Sequence, residues 1–327
     1  MDAELRGELE EKARSGARLS REDGVALLSS DDLAWLGGLA HAARLAAVGD
    51  VGYLAVTRRL DLAGPEPAAA ARESASAGAT EVVVTGVESV AGQVGWAAVP
   101  ERLRAVAAEL AAGTSLAACS ASQLRGLARR AELLAALRSA GVTSLAGEGP
   151  SLFDAPDAPE LAEIHGAAHA AGLGTEATFA YGHGESSEQL VDRLLDLRRL
   201  QDSTGGFSLL APLRYEGPDN HPATGAAALK VFAVARLLVD NVPHLRVGWE
   251  SHGLFTAQLA LNHGADEVAG EPVEEAAGPD ELTREELVEL VRDAGFRPVE
   301  RDAAFGVLRE HPGPDPDRRE SPQPMRV

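Results

Sequence analysis

From residue 51 onward the chain alternates β-rich and helix-patterned segments without a break, and this alternation constrains the fold more than any other feature. β-Rich runs fall at 51–57, 81–86, 114–119, 142–146, 174–181 and 206–213, with helical patterns at 67–77, 98–112, 121–139, 157–171, 186–203 and 224–240. Six consecutive βα units predict a parallel sheet, because right-handed crossovers place each helix on the outer face. A chain of 327 residues can bury such a core without disulfides or metals. The expected class is α/β: a partial (β/α)6 barrel over 51–250, with N-terminal helices in 1–50. A further strand is expected at 244–250, an α/β extension in 251–310 packed on the barrel, and a disordered Pro-rich tail over 311–327.

Local signals agree with this layout. Ser20 and Asp23 make a near capping box, Gly49 stops a helix over 31–47, and Thr283 with Glu286 opens a helix over 283–294. Lys and Arg total 30 against 50 Asp and Glu, a net charge of −20, which opposes binding to nucleic acid or anionic membranes. The single cysteine, Cys119, allows neither a disulfide framework nor an all-thiolate metal site within one chain. At the end of the third strand it reads as a small core residue. The charged N-terminus has no apolar h-region, and no apolar run approaches the roughly 18 residues of a membrane span. A soluble, cytoplasmic protein is expected.

In a βα barrel the loops after the strands carry the chemistry. The fifth strand ends in Tyr181-Gly182-His183-Gly184-Glu185, which sets a phenol, an imidazole and a carboxylate at one strand end. Such groups can move protons or bind a hydroxyl or amine; equally, the glycines make a turn and His183 and Glu185 start the next helix. The fourth strand ends in Gly147-Glu148-Gly149, where the backbone admits a ligand and Glu148 can meet a cation or ribose, or where a plain turn suffices. Ser120 and Ser122 follow the third strand as hydrogen-bonding candidates. Arg214 and Arg246 are the evident basic groups near strands, so a nucleoside or aromatic carboxylate suits these loops better than a phosphate-rich ligand. His165 and His169 have the spacing of a two-histidine metal face without a matching third ligand, and read as structural. Gln201, Asp202, the Thr204-to-Phe207 link and Asp240-Asn241 also read as structural, with Gly205 and Gly206 at a helix end. No metal site is expected.

The first loop is bare. YLAVTRRLDL passes through AGPEP straight into AAAARES, with nothing reactive between strand and helix.

Taken in order, RLSREDGVALLSSDDLAWLGGLA (18–40), GATEVVVTGV (78–87), AGVTSLAGEG (140–149), EIHGAAHAAGLGTEATFAYGHGES (163–186) and LRRLQDSTGGFSLLAPL (197–213) carry a resemblance that continues through ARLLVDNVPHLRVGW (235–249), LALNHGADEVAGEPVEE (259–275) and AGFRPVERD (294–302). These blocks resemble the aminofutalosine synthase branch of the radical S-adenosylmethionine (SAM) enzymes, kin of dehypoxanthine futalosine cyclase and the FO synthase subunits. The resemblance implies a partial radical SAM barrel whose first loop holds a [4Fe–4S] cluster on C-x3-C-x2-C. It also implies SAM cleavage at that cluster and addition of the resulting radical to an enol ether of benzoate, on the way to menaquinone.

The chain departs from that pattern in its loops. The cysteine loop is absent after the first strand. Thr85-Gly86-Val87-Glu88-Ser89 stands where the family has a Gly-Gly pair near the SAM amino group, which makes Gly86 a ligand-binding candidate. The fourth loop and Phe179-Ala180 also differ. The expectation is a homologue without cluster or cofactor that binds a nucleoside, an aromatic carboxylate or a partner enzyme of the menaquinone route. The alternatives are a non-radical enzyme using His183 and Glu185, and a chain that has lost a segment of an ordinary family member.

Overall fold

The computed structural model describes residues 1–147, 158–215, 223–274 and 281–314. Three helices come first: α1 (Ala3–Ser15), α2 (Arg21–Leu28) and α3 (Leu33–Val48). The barrel then runs β1 (Val51–Asp61), α4 (Pro67–Ser76), β2 (Glu81–Thr85), α5 (Val87–Val94), α6 (Val99–Ala107), β3 (Ser115–Ala118), α7 (Arg130–Ser139), β4 (Ser144–Leu145) and α8 (Ala158–Ala170). It continues through β5 (Gly174–Tyr181), α9 (Ser187–Thr204), β6 (Phe207–Arg214), α10 (Gly225–Leu238), β7 (His244–Gly248), α11 (Trp249–His252), α12 (Leu254–Leu261) and β8 (Glu267–Gly270). A helix, α13 (Arg284–Asp293), leads to the hairpin of β9 (Arg297–Arg301) and β10 (Val307–Glu310).

The strands β1 to β8 pair in sequence order, all parallel, and β8 returns to β1 through Tyr53 opposite Glu267. The expected six-unit barrel therefore goes further and closes with eight strands. Residues 251–310, expected as an extension, supply the closing strand. That strand is only four residues long, too short to show a period in the sequence. The long β1 makes closure possible: its first half pairs with β9 on one edge and β8 on the other, and its second half pairs with β2. The loop of the β9–β10 hairpin lies under the N-terminal end of the barrel, where Phe305 stacks on His244 at 3.5 Å and meets Tyr53 edge-on.

Strand alternation sorts the side chains. On β5, Glu176 and Thr178 line a central cavity, while Ala177, Phe179 and Tyr181 pack into the core under α9 and α10. Full burial of each such aromatic or aliphatic side chain stabilises by about 1.5–3 kcal/mol over exposure. The expected helix over 98–112 is α6, which ends earlier at Ala107, and an unexpected helix, α5, precedes it and stops at Gly95 with φ 83. The expected helix over 121–139 begins only at Arg130, after an extended Arg125. Both capping boxes form, at Ser20 with Asp23 and at Thr283 with Glu286.

The N-terminal segment is fixed to the barrel by a buried arginine and an exposed ion-pair bridge. Arg44 of α3 donates to the carbonyls of Ala265 and Gly49 and also to Val51, with its guanidinium 3.6 Å over the Phe296 ring. Arg18 bridges Asp202 and Asp240. The first loop is short: Leu62 is fully buried, its N–H donates to the Thr85 carbonyl, and Pro67 opens α4 in its first turn. No described helix is long and apolar enough to cross a membrane.

Candidate functional site

The barrel lumen holds a charged lattice with a cavity of about 310 Å3 beside it. Arg246, from β7, donates from Nη1 and Nη2 to Glu81 at 3.0 and 2.8 Å and from Nε to Glu267 at 2.7 Å. Arg301, rising from β9, donates to Glu267 at 2.6 Å and Glu81 at 3.0 Å. Glu81 also accepts from Thr57 at 3.3 Å. Burial alone would raise the Glu81 carboxyl, but the charges and hydrogen bonds of Arg246 and Arg301 outweigh it and hold the group at about 2. Glu176 is the third carboxylate against two guanidiniums. Its Oε1 stands 3.8 Å from Arg246 Nη1, which already serves Glu81. Burial raises its pKa, and Glu81 and Glu267 add to the effect against Arg246. Residue-by-residue reading singled out only Arg246 of these five. The available signal was a charge in the middle of otherwise apolar strands, as in Glu81-Val-Val-Val and Leu245-Arg-Val.

At the C-terminal end of β5 the expected residues form a tight turn. Gly182 and Gly184 take φ 88 and 99, and the Glu185 carboxylate accepts from the N–H of Gly182 at 2.7 Å and of His183 at 2.9 Å. Arg193 donates to His183 Nε2 at 2.8 Å. An arginine N–H can only donate, so Nε2 is the acceptor, and the 3.5 Å approach of Glu185 to that nitrogen is not an ion pair. The His183 ring meets Tyr215 edge-on at 5.8 Å. Tyr181 is buried beside His252, with ring centroids 6.0 Å apart. Among the described residues its hydroxyl and His252 Nε2 have no hydrogen-bond partner, and burial raises the phenol's pKa. Arg214 closes β6 opposite Tyr181.

The remaining candidates are scattered. Ser120 and Ser122 bond each other at 2.8 Å, and Ser120 exchanges hydrogen bonds with Gln123, a local turn. Gly86 is required by its backbone and by its neighbour: φ is 70, and a Cβ there would fall 1.9 Å from Asp61 Oδ1. Gly147 lines the lumen cavity, while Glu148 and Gly149 lie outside the described residues. His169 bonds Thr175 at 2.7 Å, and both it and His165 pack on Phe207, a structural arrangement. Gln201 holds both backbone groups of Phe207, and Gly205 caps α9 at φ 67.

Cys119 is buried, and burial together with the Glu88 charge pushes its thiol up to about 12. Against the ordinary value of 9.0 this leaves about a thousandfold less thiolate at a given pH. The native protein is therefore expected to react with a disulfide reagent at mildly alkaline pH only after denaturant is added. Rapid stoichiometric reaction of the folded protein would show that the thiol is accessible.

Residues 213–313 match the family described as the CofH/MqnC C-terminal region. The whole chain is 42% identical over 389 residues to the aminodeoxyfutalosine synthase of Streptomyces coelicolor, covering 100% of both chains. That alignment is longer than the 327-residue chain, so part of the relative stands opposite gaps here. The aminodeoxyfutalosine synthase of Thermus thermophilus is 32% identical over 355 residues, covering 91% of this chain and 95% of its own. Among solved structures, methylornithine synthase (PylB) superposes with a TM-score of 0.66 at 18% identity, covering 89% of this chain and 97% of its own. The hydrogenase maturase HydG superposes with a TM-score of 0.70 at 11% identity, covering 93% and 77%. At these identities the two structures speak to the fold alone.

These similarities correct one expectation. The expectation of no cofactor is overturned by the end-to-end match to aminodeoxyfutalosine synthase, a family for which the resemblance implies a [4Fe–4S] cluster and SAM. The described residues do not by themselves fit the cluster. Cys119 is the chain's one thiol and is buried, and no group of three His, Cys, Asp or Glu able to hold a metal occurs among the described residues.

Proposed function

This chain belongs to the aminodeoxyfutalosine synthase family, and we propose on that premise that its barrel binds a nucleoside-type or aromatic carboxylate ligand of the futalosine route to menaquinone. The observation that carries the proposal is the turn after β5. Both oxygens of Glu185 are engaged by backbone N–H groups, which fixes the turn and holds His183 between Arg193 and Tyr215. A polar and aromatic surface that is already ordered loses little entropy when a ligand arrives. The same engagement of Glu185 favours binding over proton transfer by the His183–Glu185 pair, since the carboxylate's work is to hold the backbone. In this reading His183 and Tyr215 contact the aromatic part of the ligand.

A second reading, docking of a partner enzyme of the route, is favoured by Phe255 and Leu259. These stand one turn apart on α12 and are 79% and 50% exposed.

Calorimetry with aminodeoxyfutalosine and with adenosine, on the wild type and His183→Ala, tests the first reading. Binding by the wild type, weakened at least about tenfold in the variant, is expected. Equal affinity in the two proteins would move the site elsewhere.

A further inference from the structure

The lumen cavity contains polar groups that the charged lattice leaves unused, and two glycines shape the space around them. Glu176 has 20% of its side chain exposed, and among the described residues its nearest charged partner is Arg246 at 3.8 Å. The hydroxyls of Ser144 and Ser208 line the same cavity, and neither has a hydrogen-bond partner among the described residues. Neither Gly147 nor Gly174 takes a positive φ, so the backbone at these positions accepts any residue. What both glycines do is leave room. A Cβ on Gly147 would fall 2.7 Å from Glu176 Oε2 and crowd that oxygen. A Cβ on Gly174 would sit 3.9 Å from Ser144 Cβ and 4.0 Å from Ser208 Oγ, filling the gap between the two serines.

We infer that this part of the lumen is a binding site for a primary ammonium group carried on a small hydroxylated molecule. The Glu176 carboxylate accepts from the ammonium, and Ser144 and Ser208 bond to the ligand's hydroxyls. A surplus carboxylate beside a lattice that is otherwise paired supplies the charge. An ammonium has three N–H donors and no acceptor, which suits one carboxylate among hydroxyls. A metal ion suits the site less, because Glu81 and Glu267 are held by the two arginines. The inference is independent of the reading of the turn after β5, which shares none of these residues.

Glucosamine and glucose differ only at C2, where an ammonium replaces a hydroxyl, and serve as probes in ligand-observed NMR. The wild type is expected to bind glucosamine and not glucose. Glu176→Gln is expected to weaken glucosamine binding at least about tenfold, the value of a lost charge-assisted hydrogen bond. Gly174→Ala, whose added methyl makes only ordinary contacts, is expected to keep the wild-type melting temperature and also lose binding. Failure of the wild type to bind glucosamine, equal binding of glucose, or equal affinity in a folded Glu176→Gln protein would each overturn the site.

Discussion

Replacing Arg246 with Met is expected to lower the unfolding free energy at neutral pH by about 3–5 kcal/mol, the usual cost of breaking a buried ion pair from one side. Arg246 is the hub of the lumen lattice. Among the described residues its removal leaves Glu267 with Arg301, Glu81 with Arg301 and Thr57, and Glu176 with only the charge of Arg301 acting on it. Methionine keeps much of the volume, so the loss reads charge more than cavity. The sign of the pH dependence separates the two. In the wild type Glu81 is held at about 2, below its ordinary 4.5, so its stabilising contribution is present above about 4.5 and is lost as pH falls through about 2. In the variant burial acts with less opposition and the carboxyl rises. Protonation then relieves the buried charge, and the deficit against the wild type shrinks on acidification. Urea denaturation of both proteins at neutral and acid pH measures this. A deficit below about 1 kcal/mol, typical of an exposed pair, would show that the lattice is solvated.

Acidification of the wild type between pH 6.5 and 4 is expected to destabilise it before the lattice titrates. Burial holds His165, His169 and His252 at about 4 against an ordinary 6.5. The unfolded chain takes up these protons below about 6.5 and the folded chain only below about 4, so stability falls as pH falls through that window. Each histidine contributes up to about 1.4 kcal/mol per pH unit there, less where the ring is only half-buried, as for His165 and His169. His165→Leu is the informative variant, because His165 Nδ1 is buried with no hydrogen-bond partner among the described residues and the ring packs on Phe207. Its stability profile is expected to be flatter than that of the wild type across the window. Parallel profiles would mean that His165 titrates normally in the folded state.

The scaffold was legible because each βα unit states its period locally. The apolar run at 81–85, the Ser20 and Thr283 caps and the glycine ending α9 all fall where the sequence places them. Closure by β8 and the hairpin under the barrel were not legible, since four- and five-residue strands carry too few positions to show alternation, and their pairing with β1 is set over more than two hundred residues of chain. The turn after β5 was legible as a glycine-rich strand end with a charged tip. Its internal bonding was not, because a carboxylate two or three residues from free N–H groups can turn either to solvent or back onto its own backbone. The lumen lattice was missed for a related reason. Glu81, Glu176, Arg246, Glu267 and Arg301 lie on five different strands, and only barrel closure brings them together.

A crystal structure of the protein soaked with aminodeoxyfutalosine tests whether a family ligand binds at the C-terminal end of the barrel. Ligand density is expected against the turn of residues 181–185, with the aromatic group near His183 and Tyr215. Density confined to the N-terminal end of the barrel or to the outer helices, or none at saturating ligand, would contradict it.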